Sequence, residues 1–586
     1  MKNIINLNDV KKYEGFDKHI SAILSINNIP ENGLKDCFPD KIGKRNFASF
    51  EDYFNSMERI DGTDEFIKFV KENKNEKSIV ISDHDCDGIM ACVICAIGLN
   101  EYGVDIQYLS TDRFKTGYGM KKSSIDEAIK SGAKVIYTVD QGITCNEVID
   151  YAKSKGLKVC VTDHHIGKEV SHADAVIDPC YFLNNTKFKE ISGATVIFKL
   201  IYELFKSEGY DTKFLYDLAA LAGITVLSDC MEMLNENRIL YKCTMNYCNS
   251  QVKKNTFIKR LADLLCFYLP GADQEFCQFI PTRNFNSTQV NFYFIPLINA
   301  VNRIEGNVTC LINDIVYIYY NDIEPDGSFY QRLNNYRKSM KSSLTKMHRY
   351  NANESVCVEA FDTGILENYS GICGLVASDV VENEKKPALI GTIDATEIVK
   401  FSGRSVQGYS LYNLLKRIKE DHPELNLNFG GHDQALGCSI PKNNIDAFRE
   451  IICEYYTKDA FEITETYLPL DDGSVWKRVY KIFAPFGSGF IMPQFYVETS
   501  ISYFDSEKRT FKLSNCGKES IVCYNYADVE YMKYLAYKKK HEEKIQAILE
   551  FVYDQHGEVV LKLVNILNKN PEIERQILEE RNNSID

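Results

Sequence analysis

Between residues 78 and 163, short apolar runs alternate with helix-length stretches, and three of the runs end on aspartate. Residues 78–81 (Ser-Ile-Val-Ile) read as a buried strand. They lead into Ser82-Asp83-His84-Asp85-Cys86-Asp87-Gly88 and then into an apolar run, 89–97, long enough for a helix. Residues 104–109, 134–139 and 157–162 read as further strands, with helices over 123–130 and 146–155. Strands alternating with helices at this spacing predict a parallel, doubly wound sheet. In such sheets, sites gather at the carboxyl ends of the strands. Asp83, Asp140 and Asp163 each stand at such an end, so one edge of the sheet collects carboxylates. Like charges this close cost free energy unless a cation or protons compensate.

Composition sets the outer limits. A chain of 586 residues is too long for one core and predicts three or four domains. Hydrophobic content of 45% with 26% charged residues is that of a soluble globular protein. No apolar run approaches a membrane span of about 18 residues or more, and the first residues lack the apolar core of a signal peptide. The expectation is a cytoplasmic protein with no membrane partner. The 19 cysteines are scattered. Cys92 and Cys95 make one CxxC, but it lies in the apolar run and reads as core. A net charge of −14 disfavours coating nucleic acid by bulk charge, while leaving room for a local basic groove.

The acidic turns carry a family resemblance. Asp83-His84-Asp85-Cys86-Asp87-Gly88, Val139-Asp140-Gln141-Gly142 and Thr162-Asp163-His164-His165 resemble the first three motifs of the DHH phosphoesterases. Ser228-Asp229, after a helical run over 215–227, resembles a further aspartate of that family. Within it, Asp112-Arg113-Phe114-Lys115-Thr116-Gly117-Tyr118-Gly119, Glu236-Asn237-Arg238 and 296–303 (Pro-Leu-Ile-Asn-Ala-Val-Asn-Arg) are similar to segments of the RecJ branch of single-strand-specific exonucleases. Farther on, 371–378 and Phe429-Gly430-Gly431-His432 resemble that branch's DHHA1 domain. Phe483-Ala484-Pro485-Phe486-Gly487 resembles the opening of its OB-like domain.

Beside that resemblance stands the chemistry of the residues. Asp85, Asp87, Asp140, His164 and Asp229, with Asp83 and His165 as further candidates, form a mixed O/N donor set. It holds too many carboxylates for structural zinc. It suits two Mn²⁺ or Mg²⁺ ions, with Mn²⁺ favoured by the imidazoles. Two such ions, about 3.5–4 Å apart, can aim an activated water in line at phosphorus. Asp163 is either part of this set or orients a histidine from behind it. The resemblance implies that His165 contacts phosphate or donates a proton. It also implies that Arg113, Ser402 and Arg404 hold a strand's terminal 5′ phosphate, and that Gly431 and His432 grip the scissile one. Tyr118, Asn299, Arg303 and Gly430 fall in matching segments and join the candidate substrate and catalytic residues.

In the connector, Phe329, Leu333, Tyr336, Met340, Leu344 and Met347 recur at spacings of three and four and predict one apolar stripe on a long helix over 329–350. Its other positions carry Arg332, Arg337, Lys338, Lys341, Lys346 and Arg349, so it is expected either to present a solvated face or to line a nucleic-acid cleft between two domains. From about 461, short alternating strands predict the OB-like β-barrel. Phe495, Tyr496, Tyr503, Phe504 and Phe511 are its candidate base-stacking residues, with core packing the other reading because the sequence does not fix which face each occupies. The chain departs from the RecJ pattern at Val301-Asn302, where a glycine is expected before the arginine, and over 524–544.

The expected fold is α/β: a doubly wound parallel-sheet DHH domain, a long connecting helix, an α/β DHHA1 domain and a C-terminal OB-like barrel. The expected boundaries are a lead-in over 1–45, then 46–305, 306–350, 351–460, 461–570 and a tail over 571–586. The resemblance implies a monomeric Mn²⁺- or Mg²⁺-dependent exonuclease releasing mononucleotides from the 5′ end of single-stranded DNA in repair and recombination, with a helicase or single-strand-binding protein as possible partner. Two other readings stay open: a hydrolase of short oligoribonucleotides or cyclic dinucleotides, and a catalytically silent DNA-binding subunit.

Overall fold

The structure is a computed structural model. It describes residues 2–31, 34, 49–114, 119–167, 169–252, 254, 256–265, 285–348, 354–362, 369–431, 433–459, 465–505, 510–513, 521–523, 526–537, 544–553, 558–570 and 572–573.

Five parallel strands form the first sheet: β1 (Ser78–Ser82), β2 (Ile106–Ser110), β3 (Val135–Val139), β4 (Lys158–Thr162) and β5 (Ala175–Ile177), in the order β2-β1-β3-β4-β5. The sheet is covered on both faces, as the alternation predicts. Ile79, Ile81, Ile136, Val159 and Val161 pack in one core with residues of the helices Lys122–Lys130 and Asn146–Ser154. Val80, Val135, Tyr137 and Val139 point the other way, into the core shared with α1 (Cys86–Tyr102) and α2 (Gly193–Ser207). Successive side chains of a strand alternate between faces, so burying both requires the near-continuous apolar runs seen here. Helix α1 begins at Cys86, earlier than its apolar run suggests, because Asp85 caps it by accepting the Gly88 N–H at 3.0 Å. Strand β5 is three residues long and escaped the sequence reading.

Helices α3 (Tyr216–Ser228), α4 (Asn235–Gln251) and α5 (Ile295–Ile304) complete this half, and α6 (Ser328–Met347) leads out of it. The apolar stripe of α6 is a correction to the expected one. Leu333, Met340 and Leu344 are buried together with Tyr330, whereas Phe329, Tyr336 and Met347 are exposed. Tyr330 takes the inward position because its hydroxyl donates to Asp314 Oδ2 at 2.6 Å, satisfying the polar tip of a buried ring.

The second sheet is mixed: β6 (Cys357–Phe361), β7 (Ala388–Ile393), β8 (Ile398–Arg404), β9 (Asn428–Gly431) and β10 (Ala435–Pro441), in the order β9-β10-β8-β7-β6, with only β6 and β7 parallel. Helix α7 (Ser370–Glu384) packs on β7 and β8.

A third sheet gathers eight strands, and its order runs from Lys2–Ile4 through Glu465–Pro469 to Ile501–Asp505. These ends do not pair with each other among the described residues, so the sheet is open. Phe495 and Phe511, among the candidate stacking residues, are fully buried and belong to its core. Tyr503 is exposed and Tyr496 half-buried; the side chain of Phe504 lies outside the described residues. No described helix is long and apolar enough to cross a membrane.

Candidate active site

The carboxyl edge of the first sheet brings together every residue expected as a metal ligand. Asp83, Asp85 and Asp140 present one oxygen each within 4.8 Å of one another. Asp87, His164 and Asp229 do the same with their own donor atoms, and so do Asp140, His164 and His165. His164 Nε2 stands at the centre, 3.0 Å from Asp140 Oδ1, 3.5 Å from Asp229 Oδ2 and 3.8 Å from Asp87 Oδ2. Asp140 adopts a left-handed backbone with φ +57°, a strained conformation that aspartate tolerates better than most side chains. Asp229 follows α3 as its C-cap.

Fixed donors hold several of these carboxylates from behind. Asp87 accepts the N–H groups of Gly193 (2.6 Å) and Ala194 (3.1 Å), so the N-terminus of α2 abuts the site. A Cβ on Gly193 would lie 2.7 Å from both Cβ and Oδ1 of Asp140, which leaves room only for glycine. Asp83 accepts from the Thr111 hydroxyl at 3.2 Å. Burial, then the charges of Asp83 and Asp87, push the Asp85 carboxyl up to about 6. Burial, then Asp87 and Asp85, push Asp229 up to about 9. Asp140 is raised well above the ordinary carboxylate value by burial and by Asp87, Asp85, Asp229 and Asp83. Oxygen donors this crowded, with one imidazole among them, fit hard divalent cations.

Asp163 does a different job. Its Oδ1 lies 2.7 Å from His165 Nδ1 and accepts the N–H groups of His164 (2.8 Å) and His165 (3.2 Å), while Oδ2 accepts the Ile143 N–H at 3.0 Å. Burial would raise this carboxyl, but the His165 hydrogen bond and the charges of His165 and His164 hold it below its ordinary value. Burial opposes charge on His165, yet Asp163, with Asp229 and Asp85, lifts it to about 9. Asp163 contributes no donor atom to the acid groups around Asp140 and His164 among the described residues, and its contacts run to His164, His165 and Ile143.

Next to the acids lies a set of arginines. Arg303, on α5, is lowered to about 9 by burial and by Arg113, Arg337 and Arg404, with Asp85 acting in the opposite sense. Arg113 is lowered by burial while feeling Asp83, Asp85 and Cys373. Arg303 Nη1 donates to the Gly371 carbonyl at 2.9 Å, and a Cβ on Gly371 would lie 2.4 Å from the Arg303 carbonyl oxygen. Close by, Arg404 Nη2 and Ser402 Cβ approach Gly374 at the start of α7. Buried guanidiniums that repel one another make an anion site, since phosphate oxygens accept their forked donors. Gly431 (φ +136°) pairs with Leu436, which pairs with Gly403, so it sits two strands away from the Ser402–Arg404 segment. Gly430 precedes it on the same edge strand. Asn299 Oδ1 is buried without a hydrogen bond among the described residues, and Asn302 Nδ2 donates to the His84 carbonyl at 2.8 Å. Tyr118, Arg349 and His432 lie outside the described residues.

Residues 77–224 match the DHH family, N-terminal domain, and residues 354–458 match the DHHA1 domain. This chain pairs a DHH domain with a DHHA1 domain. Among curated proteins it is 27% identical over 395 residues to the single-stranded-DNA-specific exonuclease RecJ of Haemophilus influenzae, covering 64% of this chain and 65% of that protein. It is 28% identical over 435 residues to RecJ of Bacillus subtilis, covering 72% of this chain and 51% of that one. It therefore spans less than two thirds of either relative's length. The structure of RecJ in complex with Mn²⁺ from Thermus thermophilus superposes with a TM-score of 0.69 at 18% identity, over 97% of this chain and 80% of the other. A structure of exonuclease RecJ bound to manganese gives 0.54 at 22% identity, over 68% and 95%. These likenesses show a shared fold.

Of the acid cluster, Asp83, Asp85, Asp87, Asp140 and His164 fall within the stretch that matches the DHH domain and Asp229 just beyond it, while the arginines come from that stretch (Arg113), α5 (Arg303), α6 (Arg337) and the DHHA1 match (Arg404). Two features of the DHH domain were missed from the sequence. Gly193 follows an N-cap serine ahead of an apolar helical run, a signal that marks a helix start but not what the helix touches. Asp178 follows β5 directly, is fully buried, and accepts the Cys180 N–H at 2.7 Å.

Proposed function

We propose that this chain is a divalent-metal-dependent exonuclease that removes mononucleotides from the 5′ end of single-stranded DNA. The observation that carries the reading is the adjacency of two sites: Asp85 of the ligand cluster acts electrostatically on both Arg113 and Arg303 of the arginine pocket. A pocket for a terminal phosphate beside a cation cluster suits cleavage close to a strand end. The names of the curated relatives point to the same activity.

Asp83, Asp85, Asp87, Asp140, His164 and Asp229 would hold two ions. Bound there, Mn²⁺ or Mg²⁺ would activate water and polarise the phosphodiester. His165, kept protonated by Asp163, turns its other ring nitrogen away from that carboxylate to donate to a phosphate oxygen. Arg113, Arg404 and Ser402 neutralise and orient the terminal phosphate, and Arg303 with Arg337 extends the positive wall along the connector. His432 and Gly431 would grip the scissile phosphate, and Tyr118 and Asn299 would flank the strand. The third sheet, with exposed Tyr503, would guide the strand as an OB-like domain does.

The test compares linear 5′-phosphorylated and circular single-stranded DNA in Mn²⁺. The linear strand is consumed to mononucleotides and the circle survives. Nicking of the circle, or binding of both without cleavage, would overturn the proposal.

A further inference from the structure

A second group of metal-type donors lies at the far end of the connector and shares no residue with the acid cluster. His348 is the C-cap of α6. Its Nδ1 lies 2.8 Å from Glu359 Oε2, and its Nε2 contacts Glu384 Oε1 at the end of α7. Lys386 Nζ lies 2.9 Å from the other oxygen of Glu384. Cys357 and Glu359 are two residues apart on β6, so their side chains leave the strand on one face. One donor atom each from His348, Cys357 and Glu359 lies within 4.8 Å of the other two. The Cys357 side chain is 2% exposed, and its thiol makes no hydrogen bond among the described residues.

We infer that His348 Nδ1, Cys357 Sγ and Glu359 form a binding site for a zinc-class transition-metal ion that ties the connector helix to the DHHA1 domain. Mixed nitrogen, sulfur and carboxylate donors select borderline metals such as Zn²⁺, which takes four ligands. Three come from the protein, leaving the fourth to water or the second Glu359 oxygen. Metal-ligating histidines almost always donate their other N–H to a carboxylate, a backbone carbonyl or water, and Glu384, itself paired with Lys386, holds that place on Nε2. Binding displaces the thiol proton and the Nδ1 proton to solvent. Without metal, the same residues stay joined by hydrogen bonds: burial opposes charge on His348, but its hydrogen bonds to Glu359 and Glu384 raise its pKa above the ordinary histidine value. None of the donor atoms grouped in the acid cluster is a cysteine sulfur, so a thiolate–metal band that depends on Cys357 distinguishes the two sites.

The experiment titrates Co²⁺ into the chelator-treated full chain and follows the thiolate-to-cobalt charge-transfer band in the near ultraviolet. The band is expected in the wild type and in Asp140→Ala, is lost in Cys357→Ser, and disappears when Zn²⁺ is added. Glu384→Gln should weaken Co²⁺ binding about 10–100-fold. His348→Gln, whose side chain is only partly buried, gives a second variant that should abolish the band with the fold intact. A wild type without the band at saturating Co²⁺, or a band that persists in Cys357→Ser or His348→Gln, would overturn the site and leave the cluster as hydrogen-bonded residues.

Discussion

Asp163 and the clustered carboxylates beside it answer to opposite electrostatics. Asp163 is held charged by four donor contacts, whereas Asp85, Asp140 and Asp229 are pushed toward protonation by burial and by one another. Asp163→Asn should therefore leave the fold standing while lowering kcat about 10–100-fold, with a smaller change in KM, because it releases His165 rather than the substrate. Steady-state kinetics on a single-stranded oligonucleotide checks the split. The raised carboxyls make a second prediction with a definite sign. A carboxyl whose folded-state value exceeds its unfolded one contributes its full stability below the unfolded value, about 4, and loses it as pH rises through the folded value. Here the fading runs through about 6 for Asp85 and about 9 for Asp229. Because a cation needs the deprotonated carboxylates, Mn²⁺ should raise Tm more at pH 8 than at pH 5.5; an equal shift at both would mean that the cluster does not bind the ion. The expected ligands could be read from the sequence because four of them sit on or just beyond the ends of long apolar strands. Asp178 could not, since its strand is too short to show periodicity. Phe495 and Phe511 could be assigned to core or to a binding face only by the fold, because alternation does not tell which face of a sheet is dry.

At the scale of elements, the N-terminus of α2 supports the site as much as the motif loops do. Gly193→Ala would force a methyl against Asp140, and overpacking of this kind costs about 1–3 kcal/mol. Calorimetry should show weaker Mn²⁺ binding together with that loss of stability; unchanged Mn²⁺ affinity would show that α2 merely packs nearby. The connector helix was legible in existence and basic character, but its buried stripe was not, because Tyr330 and Asn334 are polar residues whose inward positions depend on partners elsewhere in the fold. Arg337 illustrates the converse. It counted only as one basic residue among several until the fold placed it beside Arg303.

Across the whole molecule, long-range contacts join stretches that the sequence shows only as separate motifs. Arg238 is fully buried in α4, and its guanidinium donates to the carbonyls of Pro485 (2.9 Å), Phe483 (2.8 Å) and Ala484 (3.3 Å), tying α4 to the loop over 483–485. The Met233 N–H donates to the Ser488 carbonyl at 2.8 Å in the same seam. Arg238→Ala would strip buried carbonyls of their donor and should cost about 3 kcal/mol or more, read as a lower urea midpoint. The N-terminal strand Lys2–Ile4 joins the C-terminal sheet through Glu465–Pro469, a pairing no local pattern could announce. The central claim is that the acid cluster and the arginine pocket act together on one strand end. It is tested most directly by following two single-stranded DNAs, labelled at the 5′ or the 3′ end, in Mn²⁺ with wild type and Asp140→Ala. The account predicts early release of the 5′ label as a mononucleotide by the wild type and none by the variant. Early release of the 3′ label, or equal activity of the variant, would contradict it.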